Sequence, residues 1–88
     1  MNRSDLPNIL YDIIKSLNGK ATMMDVFKCF WNKYGNQLTI NDDLFYTWNY
    51  DIRWAATKLR KEDRMKPASR RENSYGSLTS PCGIWEIK

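Results

Sequence analysis

The 88 residues make one domain, and a content of 42% hydrophobic residues with 4 Trp, 5 Tyr and 3 Phe excludes a disordered chain. The net charge is +4, and all of it lies in the second half. In residues 1–44, Arg3, Lys15, Lys20, Lys28 and Lys33 are balanced by Asp5, Asp12, Asp25, Asp42 and Asp43, whereas within residues 53–71 Arg53, Lys58, Arg60, Lys61, Arg64, Lys66, Arg70 and Arg71 face only Glu62 and Asp63.

The first element is a helix over about residues 4–18. Ser4 or Asp5 is placed to cap it, and Pro7 falls in the first turn, where a missing N–H costs little. Leu6, Ile9, Leu10, Ile13, Ile14 and Leu17 recur with the helical period and predict one buried face. Asn18-Gly19 is a C-terminal stop, and Lys20-Ala21 reads as a short extended link.

A second helix is predicted over about 22–35. Thr22 offers a capping hydroxyl with the Asp25 carboxylate three residues on. Met23, Val26, Phe27, Phe30, Trp31 and Tyr34 form its apolar face, read as core, and Gly35 ends it. Residues 36–45 read as a connection with room for one extra helical turn, because Asn41-Asp42-Asp43 favours a turn or a new cap.

The third helix is predicted over about 47–63. Trp48, Ile52, Ala55 and Leu59 share one side of it, with Ala56 at the edge. Those residues, with Ile84 and Trp85, are expected to join Ile13 and Phe27 in one core. Trp54 lies off that stripe and is read as structural. The opposite side presents Tyr50, Arg53, Thr57, Arg60 and Lys61, with Asn49 near the N-terminal end.

Residues 64–88 read as a wing. Met65-Lys66-Pro67 suggests a short strand, residues 68–80 a loop rich in Ser, Arg, Asn and Gly, and Gly83-Ile84-Trp85-Glu86-Ile87 a closing, half-buried strand. The predicted fold class is α+β: a winged helix-turn-helix with three helices and a small antiparallel β-hairpin wing, in a single domain spanning 1–88.

The pattern Tyr50-Asp51-Ile52-Arg53-Trp54-Ala55-Ala56-Thr57-Lys58-Leu59-Arg60-Lys61, followed by Gly83-Ile84-Trp85-Glu86-Ile87, resembles the N-terminal winged-helix domain of Mrr-type restriction endonucleases. The match lies in a Trp-Ala pair, a Leu four residues later, basic residues after it, and a closing Gly-aliphatic-Trp-x-aliphatic strand. Glu62-Asp63-Arg64-Met65 departs from the short glycine-containing turn of that family, and the wing is longer. The resemblance implies a DNA-recognition module attached to a nuclease domain in the full-length protein, of the kind that acts on modified DNA.

Chemistry is sparse elsewhere. The chain has no His, which removes Ser-His and Cys-His catalysis. Two cysteines, Cys29 and Cys82, rarely complete a zinc shell without imidazole. Glu86-Ile87-Lys88 matches the E-x-K tail of nuclease metal sites, but such a site needs a separate Asp on a larger mixed sheet, and Trp85 and Ile87 read as the core face of a closing strand. We expect no catalysis, no cofactor and no metal.

The absence of a signal-peptide pattern and of any apolar run of about 18 residues predicts a cytoplasmic protein without a membrane span. The expected partner is double-stranded DNA, with Asn49, Tyr50, Arg53, Thr57, Arg60 and Lys61 on the third helix and Arg70 and Arg71 on the wing as contacts. The rival reading is a winged helix used for protein–protein interaction, whose third helix would tend to be acidic or apolar. Single-strand or RNA binding would require exposed aromatics among the cations, for which only Tyr50, Trp54 and Tyr75 qualify.

Overall fold

A computed structural model describes residues 1–67 and 84–88. A 3-10 turn at Arg3–Asp5 leads into α1 (Leu6–Ser16), β1 (Lys20–Thr22) and α2 (Met23–Tyr34). A second 3-10 turn (Gly35–Gln37), α3 (Asp43–Lys61) and β2 (Ile84–Glu86) follow. The described residues thus form an α+β fold of three helices and a two-stranded antiparallel sheet.

Of the stripe that periodicity predicts on α1, Leu6, Leu10, Ile13 and Ile14 are buried and Ile9 and Leu17 pack half-buried against the core; Pro7 is buried as well. Each large side chain on it contributes about 1.5–3 kcal/mol by leaving water. Neither Ser4 nor Asp5 caps α1 with its side chain. Asn2 caps the preceding 3-10 turn instead: its Oδ1 accepts from the Ser4 amide at 3.0 Å, while the Asp5 carboxylate accepts from the Asn2 amide at 2.9 Å.

The C-terminus of α1 closes as expected. Asn18 has φ 70° and Gly19 φ 89°, and the Gly19 amide donates to the Ile14 carbonyl at 2.9 Å while that of Asn18 reaches Lys15 at 3.3 Å. This is the paired arrangement that satisfies the last carbonyls of a helix. Helix α3 ends the same way, with Asp63 at φ 62° and the Arg64 amide bonded to the Leu59 carbonyl at 2.9 Å. A β-branched residue tolerates this left-handed conformation badly, at a cost of roughly 1–2 kcal/mol. Asn18→Val should therefore lower the urea midpoint and Asn18→Gly should hold or raise it; equal midpoints would show that the turn does not constrain residue 18.

The sheet corrects the reading of residues 20–21. Lys20-Ala21 is part of a strand, pairing antiparallel with β2 in the register Lys20↔Glu86, Ala21↔Trp85 and Thr22↔Ile84. On the other side of β2, Met65 forms one antiparallel bridge to Ile87, supported by the Lys66 amide on the Glu86 carbonyl at 2.9 Å. The closing strand therefore has neighbours on both edges: β1, read in the sequence only as a link, and the segment after α3, which pairs through a single bridge. The loop expected over 68–80, like Gly83, lies outside the described residues.

Alternation along β2 puts Trp85 on the core side, with Ile87 packed against the same cluster, while Ile84 lies on the opposite face beside Lys20, Thr22 and Asp25. Ile84 is thus not the core residue it was expected to be. The core unites Leu6, Leu10, Ile13, Ile14, Val26, Phe30, Ile52, Ala55, Ala56, Leu59, Met65 and Trp85, with Phe27 and Trp48 half-buried against it. Ala55 and Ala56 lie where a larger side chain would hold α3 away from its neighbours.

Helix α2 begins as read, with the Thr22 hydroxyl accepting from the Asp25 amide at 3.1 Å. Its aromatic stripe, however, is wider than the core. Phe30 is fully buried, whereas Trp31, one residue and about 100° further round, is 44% exposed. Helix α3 starts one turn earlier than the sequence suggested. Asp42 folds back on the loop, its carboxylate accepting from the Thr39 amide and hydroxyl at 3.0 and 3.1 Å, and Asp43 supplies the negative charge favoured in a first turn. Leu44 consequently joins the buried side of α3. Among the described residues, no helix is long and apolar enough to cross a membrane.

Candidate nucleic-acid interface

Core packing of Ile52, Ala55 and Leu59 turns the other side of α3 outward. At 100° per residue, Asn49, Tyr50, Arg53, Thr57, Arg60 and Lys61 fall within an arc of about 120°. Asn49, Tyr50, Arg53, Thr57 and Lys61 are exposed, Tyr50 at 68%. Arg60 differs: it is half-buried, and its Nε donates to the Lys66 carbonyl at 3.2 Å. Burial lowers the Arg60 pKa from its ordinary value, although an arginine keeps its charge near neutral pH. It ties the end of α3 to the segment that follows.

Arg53 is drawn toward the start of α2, where its Nε contacts the Met23 Sδ at 3.4 Å. Phe27, Asn49, Tyr50 and Arg53 line a recess of about 210 Å³, and Tyr50, Arg53, Trp54 and Thr57 line a second beside it. Arg, Asn and Thr supply hydrogen-bonding groups, and Tyr50 a flat apolar surface. The reading of Arg70 and Arg71 as wing contacts falls outside the described residues.

The structure separates the cations of the basic segment into two sets. Lys66 pairs with Glu86 at 3.0 Å, and Arg64 lies over the Tyr11 ring at 4.6 Å with a hydrogen bond to Asn8 at 2.9 Å. With Arg60, these hold the fold together. Arg53, Lys58 and Lys61 remain on the exposed side of α3. Glu86 and Lys88, the two charges of the E-x-K tail, are each in an ion pair, with Lys66 and Asp63 respectively.

Three features escaped the sequence reading. Tyr46 is 66% exposed and stands four residues before Tyr50 on the same side; the earlier start of α3 brings it into the helix. Asp51 is buried at 7% exposure, accepting from the Thr47 hydroxyl at 2.7 Å and pairing with the Arg3 Nε at 3.2 Å. Arg3 also lies 3.9 Å above the Trp54 ring, with Lys58 at 5.7 Å from the same ring. Trp54 is therefore a half-buried aromatic with two cations close to its ring. The i, i+4 spacing of Trp54 and Lys58 is visible in the sequence, but nothing in it announces the approach of Arg3 across more than forty residues. The chain matches no protein-family model, no curated protein and no solved structure.

Proposed function

We propose that this chain is a winged helix that binds double-stranded DNA through α3, with no catalysis of its own. One observation carries the reading. From Tyr46 to Lys61 the only carboxylate on α3 is Asp51, and it is buried and neutralised by Arg3. Among the described residues, the exposed side of that helix thus presents Arg53, Lys58 and Lys61 outside any ion pair. Asn49 and Arg53 suit base edges in a major groove, while Thr57 and Lys61 suit phosphates. The resemblance to Mrr-type N-terminal domains agrees with this reading and extends it to a target-recognition module of a restriction endonuclease.

Fluorescence anisotropy with a labelled 20-base-pair duplex of random sequence tests the reading. The logarithm of affinity should fall linearly with the logarithm of salt concentration, by about 0.9 per phosphate neutralised. Lys61→Ala should flatten that slope on any sequence. With Mg²⁺ present the duplex should be recovered intact. Absence of binding at low salt removes the DNA reading, and Mg²⁺-dependent cleavage lost in Glu86→Gln removes the non-catalytic one.

A further inference from the structure

On the outer side of α2, where it meets α3, Met24, Phe27, Lys28, Trp31, Asn32 and Trp48 line an open groove of about 510 Å³. Met24 is 59% and Trp31 44% exposed. We propose that this groove is a docking site for an acidic amphipathic helix of a partner protein.

The groove is built rather than incidental. Trp31 stacks on Trp48 with ring centres 5.6 Å apart at 24° and meets the Phe45 ring edge-on at 6.5 Å. Its ring also lies against Gly35, where a Cβ would stand only 2.8 Å from the Trp31 Cδ2. Gly35 has φ −58°, an angle open to any residue, so the ring of Trp31 and not the backbone is what demands a glycine. An exposed indole held on two sides is a preformed anchor surface, losing little side-chain entropy when a partner covers it.

The shape and charge of the lining select the occupant. Met24, Phe27, Trp31 and Trp48 form an apolar strip, and Met24 to Trp31 spans roughly 10 Å along α2, two helical turns. That length accepts apolar anchors at i, i+3 or i+4, and i+7 of a docked helix. Among the described residues Lys28 is the one charged side chain in the lining, and Asn32 adds an amide. The nearby carboxylate, Asp25, faces a different recess with Lys20, Thr22 and Ile84. An apolar floor with a cation at its edge complements apolar anchors flanked by Glu or Asp. One cation is too few to follow a phosphate backbone. A second copy of the chain fits poorly, because α1, α2 and α3 each carry isolated carboxylates and no acidic face.

The test is to pan the full chain against a phage-displayed library of random 16-residue peptides, then to measure enriched, fluorescein-labelled peptides by anisotropy. Enriched sequences should be net negative with apolar residues at helical spacing. Met24→Glu and Lys28→Glu should each weaken their binding by about tenfold or more, as loss of an anchor or reversal of a charge does at such surfaces. Both side chains are exposed, so circular dichroism and the thermal midpoint should be unchanged. Trp31→Ala should weaken binding as well, whatever its effect on stability. Peptides without acidic bias, binding indifferent to Lys28→Glu, displacement of the peptide by a 20-residue oligothymidine, or a dimer that Met24→Glu dissociates would each overturn the proposal.

Discussion

Phe30→Ala should lower the unfolding free energy by about 3–5 kcal/mol, the range seen when a large aromatic is removed from a core that cannot collapse around the void. Phe30 is fully buried. Its ring stacks on Trp48 at 5.3 Å and 19° and meets Tyr34 at 5.5 Å, and Trp48 in turn supports Trp31 and Phe27. Truncation would leave Trp48 unsupported on one face, and the surrounding rings are too rigid to fill the space. In a domain whose whole stability is roughly 5–15 kcal/mol, this is a large share. The thermal midpoint should fall by on the order of 20 °C, judged from the sensitivity usual at this size. A shift of only a few degrees would mean that α2 is not anchored through Phe30.

Arg53→Ala should cost about 1–3 kcal/mol of binding on a preferred duplex and far less on a scrambled one. The reason is geometric. Arg53 stands near the middle of α3 on its exposed side, between Asn49 and Thr57, with its guanidinium steered toward α2 by Met23. A guanidinium there presents a planar fork, which matches the paired acceptors of a guanine edge and which a lysine ammonium does not reproduce. Arg53→Lys should therefore restore little of the lost discrimination, whereas Lys61→Ala should weaken both duplexes alike. The measurement is anisotropy with a duplex chosen by in vitro selection and its scrambled counterpart. Equal losses on the two duplexes after Arg53→Ala would assign Arg53 to phosphate and not to base contact.

Local and periodic features of this protein are legible in the sequence, because they depend on neighbours within a few residues. The buried stripe of α1, the Thr22 cap, the left-handed stop at Asn18-Gly19 and the outward side of α3 are all of this kind. Each follows from helical geometry or from hydrogen bonds that close over three to five positions.

What only the tertiary structure decided involves partners far apart in the chain. Three residues at 20–22 have too little pattern to declare a strand; they are one because β2, more than sixty positions later, supplies the hydrogen bonds. The start of α3 moved to Asp43 because Asp42 is engaged by Thr39. Asp51 is buried, against the usual preference of a carboxylate, because Arg3 arrives from the first turn to neutralise it. Trp31 has the same apolar character as Phe30, and the two differ in burial only through where α3 and Trp48 come to rest. Periodicity names the residues that can be buried; which of them are buried depends on how much of each face the neighbouring elements cover.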